Sequence, residues 1–152
     1  MVTNNASRLA YKGVMVSSTF TDLEDHRAAL IKAIDSQGLK AVDMENDSAK
    51  PIDVIESSLQ MVRTSSAYVC VIGRKYGQMP ASPEQNPANL SITELEFDEA
   101  THIGIPILLF IIGDQHLLRE ADMEANGRKK RKLNAFRERA KEIGPDSKVH
   151  RV

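Results

Sequence analysis

The 152-residue chain has no tryptophan, a single cysteine and only 5% aromatic residues. With Cys70 alone, no internal disulfide framework can form, and the sequence fits a reducing cytoplasm. The shortage of aromatics removes the stacking faces on which readers of single-stranded nucleic acid depend. Long apolar runs are also missing. The longest, Ile103 to Gly113, is interrupted by Pro106 and falls well short of the ~20 residues that span a bilayer. Met1 to Lys12 is polar, so no secretory leader is expected. A net charge of −1 and a 41% hydrophobic content exclude a disordered chain. The expectation is a cytoplasmic protein with a disordered tail over residues 1–10 and one domain over residues 11–152.

Several chemical signatures are absent as well. There is no phosphate-binding G-x-x-x-x-G-K-[ST] loop, no G-x-G-x-x-G after a strand, no H-E-x-x-H and no G-x-S-x-G. His26, His102, His116 and His150 lack metal-ligand spacing, so no metal and no bound cofactor are expected. Cys70 lies inside an apolar run, where an inert buried thiol is the favoured reading.

The near-zero charge conceals an asymmetry. Residues 1–117 carry 9 basic and 15 acidic side chains, whereas residues 118–152 carry 11 and 6. The excess is concentrated in Arg128-Lys129-Lys130-Arg131-Lys132. Such a run can meet nucleic acid or anionic lipid, but the favoured reading is the solvated start of a helix, with no nucleic-acid or membrane partner expected.

The apolar pattern defines the elements. Gly13 to Ser17, Leu39 to Met44, Ala67 to Ile72 and Pro106 to Ile112 read as strands, and Val149 to Val152 as the start of a fifth. Asp22 to Gln37 reads as a helix stopped by Gly38, with Thr21 and Glu24 spaced as a capping box. Pro51 opens a second helix with Ile52, Ile55, Leu59 and Val62 on one face. Ser91 to Gly104 gives a third, and a polar helical stretch from Leu117 to Ile143 is broken at Asn126-Gly127. Strands apolar on both faces that alternate with amphipathic helices predict an α/β, flavodoxin-like, doubly wound parallel sheet of about five strands in the order 2-1-3-4-5. In such a sheet the crevice lies beyond the carboxyl ends of strands 1 and 3. Two segments meet there: Ser17 to Thr21, and the 18-residue loop from Gly73 to Leu90.

Three groups of residues at that address carry chemistry. Ser17, Ser18, Thr19 and Phe20 offer hydroxyls and backbone amides suited to a phosphate or ribose, or to ordinary turn capping. Gly73, Arg74 and Tyr76 offer a cation and a ring on the opposite lip. On the third helix, Glu94 has the N3 spacing of a capping box with Ser91. Glu96 has the apolar residues Ile92, Ala100 and Ile103 as its helical neighbours, which aims a carboxylate toward the crevice. It is either a catalytic acid or the partner of a buried arginine, such as Arg27 or Arg74.

The stretch Val14-Met15-Val16-Ser17-Ser18-Thr19-Phe20-Thr21-Asp22-Leu23, followed by Arg27, closely resembles the V-F-V-S-S-T-F-x-D-L-x-x-E-R hallmark of domain-of-unknown-function family 4062, a relative of the Toll/interleukin receptor (TIR) domains. Met44-Glu45, Val71 to Gly77 and Ser91 to Ala100 extend the resemblance, while His26 stands where the family has glutamate. The resemblance implies a TIR-like sheet at the N-terminus of a larger protein, coupled to a NACHT-type ATPase in an immune or antiphage sensor. Active TIR domains cleave the nicotinamide–ribose bond of NAD+ with one glutamate on the helix after the third strand. The E-apolar-x-x-A match at Glu96 to Ala100 makes Glu96 the catalytic candidate, with Glu94 as the register alternative. Ser17, Ser18, Thr19, Phe20, Gly73, Arg74 and Tyr76 become substrate-binding candidates, and Asp22 and Arg27 a structural polar network. NAD+ or a related nucleotide is the implied substrate, and a homo-oligomer the implied active state. The alternative is a signalling module that oligomerises with its own kind and has no enzymatic activity.

Overall fold

The computed structural model describes residues 13–18, 23–42, 51–113, 123–142 and 148–151. Five strands alternate with four helices: β1 (Gly13–Ser18), α1 (Glu24–Ser36), β2 (Lys40–Val42), α2 (Pro51–Arg63), β3 (Ala67–Ile72), α3 (Ile92–Ile103), β4 (Ile107–Ile111), α4 (Gly127–Ala140) and β5 (Lys148–Arg151). The sheet is parallel throughout, in the order β2-β1-β3-β4-β5. This is the flavodoxin-like arrangement that the alternation predicts, including the fifth strand.

The period of two along each strand sorts the core into two layers. Met15, Tyr68, Cys70, Ile72, Leu109 and Ile111 point to one face, where they join Val62 of α2, Phe97 and Ala100 of α3, and Leu133, Phe136 and Ala140 of α4. Val71 and Ile112 point to the other face and pack with Leu23 and with Leu30 of α1. Right-handed crossovers produce this division, because β1-α1-β2 runs one way across the sheet and the three later crossovers run the other. Phe97 and Phe136 meet edge to face, with centroids 5.4 Å apart, and tie α3 to α4.

The helix ends follow local chemistry. Ser91 caps α3 by accepting from the Glu94 N–H at 3.2 Å. Gly104 ends the helix in the left-handed conformation at φ 77°, donating its N–H to Ala100 O. Asn126 caps α4 through its side-chain oxygen, which accepts from Arg128 and Lys129 N–H. The break at Asn126-Gly127 is therefore a true helix start, and residues 123–126 are not helical. One expectation needs correcting. Leu23, with no side-chain capping bond, holds the N-cap of α1, so Glu24 is the first helical residue and not the third of a box with Thr21. Thr21 lies outside the described residues, as do Met44-Glu45, the tail over residues 1–10, and the first part of the expected helix from Leu117.

Candidate functional site

β1 and β3 lie side by side with Ser17 opposite Cys70, so both side chains face the layer holding α2 and α3. Glu96, in the second turn of α3, turns toward this layer and is only 5% exposed. Around it stand Ser17 from β1, Ser58 from α2, Arg27 from α1, and Tyr68 and Cys70 from β3. Burial strips the Glu96 carboxylate of water and raises its pKa from 4.5 to about 8. The hydroxyls of Ser58 and Ser17 and the charge of Arg27 oppose that rise without cancelling it. At neutral pH the carboxyl therefore holds its proton.

The same burial acts on the neighbours. Desolvation pushes the Cys70 thiol up to about 12, with a further contribution from the Glu96 charge, so the thiol stays protonated and unreactive. Tyr68 is pushed well above the ordinary phenol range for the same reason, and its hydroxyl donates to Thr93 O at 3.4 Å.

Two of these groups have unused capacity. Ser17, 4% exposed, and Ser58, 1% exposed, stand close enough to the carboxyl to favour its ionised form. Yet neither hydroxyl meets hydrogen-bond geometry with any partner, and the same holds for Ser18 Oγ on the opposite face of β1. Buried hydroxyls are normally satisfied, at a cost of about 1–3 kcal/mol when they are not. Ser17 near the end of β1 and Ser58 on α2, beside a buried acid, mark a polar site set into an apolar layer.

Glu94, two residues earlier, sits in a different environment. Its Oε1 accepts from the Tyr76 hydroxyl at 2.5 Å and its Oε2 from Arg139 at 2.5 Å. The Tyr76 oxygen in turn accepts from the Ser91 N–H at 3.1 Å. A capping box normally returns its N3 carboxylate to the cap N–H. Here the Tyr76 phenol is interposed between them. Arg139 also holds Asp98 at 2.7 Å and lies 5.8 Å and 5.7 Å from the Phe97 and Phe136 ring centroids. Glu94 is thus a fastening between α3, α4 and the β3–α3 loop. With both oxygens engaged, it does not share the environment of Glu96.

This placement corrects the expectation for Tyr76. Its ring is fully buried in the core, with 0% exposure, so it presents no face on which a base could stack. Gly73 is buried too, and its carbonyl accepts from Arg137 at 3.0 Å. Arg74 is half-buried, and its carbonyl accepts from Glu124 N–H at 2.8 Å. Thr19, Phe20 and Asp22 lie outside the described residues.

The loop after β3 is ordered by its own side chains. Asn86 Nδ2 donates to Pro80 O and Leu90 O, both at 2.9 Å, while its Oδ1 accepts from Leu90 N–H at 2.8 Å. From α4, Lys132 donates to Ala88 O and Asn89 O at 3.0 Å, and Lys129 to Gly77 O at 3.3 Å. Arg137 spans Ile72 O, Gly73 O and Ile112 O, at the ends of β3 and β4. The basic run is therefore more than a solvated helix start: Lys129 and Lys132 hold the loop, while Arg128, Lys130 and Arg131 are exposed.

A family model for a domain of unknown function, DUF4062, matches residues 13–150. The chain belongs to this family. No curated protein matches this DUF4062 domain. Among solved structures it is similar to the CMP N-glycosidase BcmB of Clostridium botulinum, at 14% identity and a TM-score of 0.46, over 93% of this chain and 87% of that one. A likeness of that degree carries no functional argument. Among the described residues, no cluster of His, Cys, Asp or Glu could hold a metal ion, and no helix is long and apolar enough to cross a membrane.

Proposed function

We propose that this domain is a TIR-like effector that cleaves an N-glycosidic bond in NAD+ or a related nucleotide, with Glu96 as the acting carboxyl. The observation that carries the reading is the buried Glu96 carboxyl flanked by the unsatisfied hydroxyls of Ser17 on β1 and Ser58 on α2. A carboxyl desolvated in this way ionises when positive charge develops beside it. Departure of a base from C1′ of a ribose creates that charge as an oxocarbenium ion. In the proposed step the C1′–N bond breaks and its electron pair leaves with the base. Glu96 gives up its proton, to the departing base where the base leaves as an anion and to bulk water where it leaves as neutral nicotinamide. The resulting carboxylate stabilises the cation, a water oxygen bonds to C1′, and the proton released by the water returns to Glu96. Ser17 would hold the carboxylate or the ribose hydroxyls during the charge change.

The wider role follows from the family resemblance: a cytoplasmic domain at the head of an immune or antiphage sensor, linked to a NACHT-type ATPase and active as a homo-oligomer. A scaffold that acts only by oligomerising would have no use for a buried acid ringed by unsatisfied hydroxyls, and for that reason the enzyme reading is preferred.

The test is turnover of NAD+ and of a panel of nucleoside monophosphates by artificially clustered domain, comparing wild type with Glu96→Ala and Glu94→Ala. Loss of turnover in Glu96→Ala with an unchanged circular dichroism spectrum is the expected result. Glu94→Ala is expected to lower the melting temperature, because it undoes the fastening to Tyr76 and Arg139. Absence of turnover in every clustered wild-type sample, across all substrates, would favour the interaction module.

A further inference from the structure

Ser58 occupies an unusual position for a serine. On α2 it falls three residues after Ile55 and four before Val62, both fully buried, so it interrupts an otherwise apolar stripe. A helix face packed against a core normally fills such a position with an aliphatic residue. Serine hydroxyls on helices commonly return to the carbonyl four residues back, as Ser65 does to Met61 at 2.7 Å. Ser58 has no such bond, and its Oγ is buried without a partner. A desolvated hydroxyl without a bond is a net cost to the fold, which an alanine would remove.

The acid it faces gives it a use. Among the described residues, the other polar groups that act on Glu96 come from the sheet or from α1: Ser17 and the Cys70 and Tyr68 pair, and Arg27. Among the described residues, Ser58 is the one that reaches it from α2. While the carboxyl is protonated it needs little from these hydroxyls. Once ionised inside an apolar layer, it needs donors.

We propose that Ser58 is a positioning residue for Glu96, its hydroxyl held in reserve to donate to the carboxylate when Glu96 ionises. The assignment rests on the reading of Glu96 as the acting carboxyl, and its test separates the two. The measurement is the ¹³C titration of the Glu96 side-chain carboxyl in glutamate-labelled protein, assigned by its disappearance in Glu96→Gln. In Ser58→Ala the midpoint is expected to rise by about one pH unit, the loss of one charge-assisted hydrogen bond. Ser58→Thr, which keeps the hydroxyl, is expected to return the midpoint to the wild-type value, and Ser17→Ala to raise it as Ser58→Ala does. Ser58→Ala removes only an unsatisfied atom, so its melting temperature is expected not to fall.

An unchanged or lower midpoint in Ser58→Ala overturns the proposal and leaves Ser58 a packing residue. A raised midpoint with no turnover in any clustered sample upholds Ser58 as the partner of Glu96 and overturns the glycosidic reading instead. Where turnover is present, the pH profile of kcat/KM in Ser58→Ala is expected to move with the carboxyl midpoint. A profile that stays in place while the midpoint moves would remove Ser58 from the reaction.

Discussion

Replacing Glu96 by glutamine should stabilise the protein, and by an amount that grows with pH. Glu96 titrates at about 8 in the native structure, against 4.5 for an ordinary glutamate. Below pH 4.5 both folded and unfolded chains hold the proton, and the buried acid costs nothing through ionisation. Between 4.5 and 8 the unfolded chain has released the proton while the native chain keeps it, so the unfolded state is favoured progressively. The stability present at low pH is thus lost as pH rises, and the loss is complete above 8. At pH 7 the gap spans about 2.5 pH units, or about 3 kcal/mol at 1.36 kcal/mol per unit, and at pH 9 it approaches about 5 kcal/mol. Glutamine has nearly the same shape and no titration. Urea unfolding followed by circular dichroism at pH 5, 7 and 9 should therefore show Glu96→Gln ahead of wild type by less than about 1, about 3 and about 5 kcal/mol respectively. A difference that does not change with pH would refute the reasoning, because it would mean that the native carboxyl titrates like an exposed one. So would a glutamine variant less stable than wild type at pH 9. On this account a functional acid is kept at the expense of stability, as is common at sites built for chemistry.

Two further predictions concern the surroundings of the site. Tyr76→Phe removes one oxygen but leaves two buried groups, the Ser91 N–H and Glu94 Oε1, without the partner they share, and should cost about 2–3 kcal/mol in urea unfolding. A loss below about 0.5 kcal/mol would show that the interposed phenol is dispensable. Asn86→Ala deletes the three bonds that fold the β3–α3 loop on itself, and should speed amide exchange at Leu90 and Asn89 while leaving β3 and β4 protected. Equal loss of protection in the strands would mean that loop and sheet open together.

Much of the fold is legible in the sequence because its determinants are local. The runs Ala67 to Ile72 and Ile107 to Ile112 are apolar at every position, which only a strand covered on both faces requires. The burial of Glu96 is legible in part, since Ala100 on its stripe is fully buried, but Ile103 on the same stripe is 38% exposed and gives no such signal. Ser58 is not legible in this way: it is a polar residue inside the Ile55 to Val62 stripe, but its burial beside Glu96 emerges only from the packing of α2. Tyr76 and the arginines of α4 are another matter. A tyrosine after a strand looks the same in sequence whether it stacks on a ligand or is buried against Glu94. What decides between these is Arg139, 63 positions along the chain from Tyr76, and no periodicity spans that distance. The basic run misleads in the same way, because the carbonyls it holds lie in a loop that composition alone describes only as long and rich in proline.

The grip of α4 on that loop also has a consequence for how the molecule assembles. Lys129, Lys132 and Arg137 reach loop and strand-end carbonyls that precede them by 25 to 65 residues. These bonds wait on α4, which follows β4 in the chain, and not on the separation itself, since β1 and β3 pair over 53 residues. A nascent chain that has emerged only as far as β4 would hold β1, β3 and β4 together while the loop beside them had its Asn86 bonds but still lacked the fasteners from α4. The order of synthesis therefore separates the pairing of β1, β3 and β4 from the finishing of the β3–α3 loop.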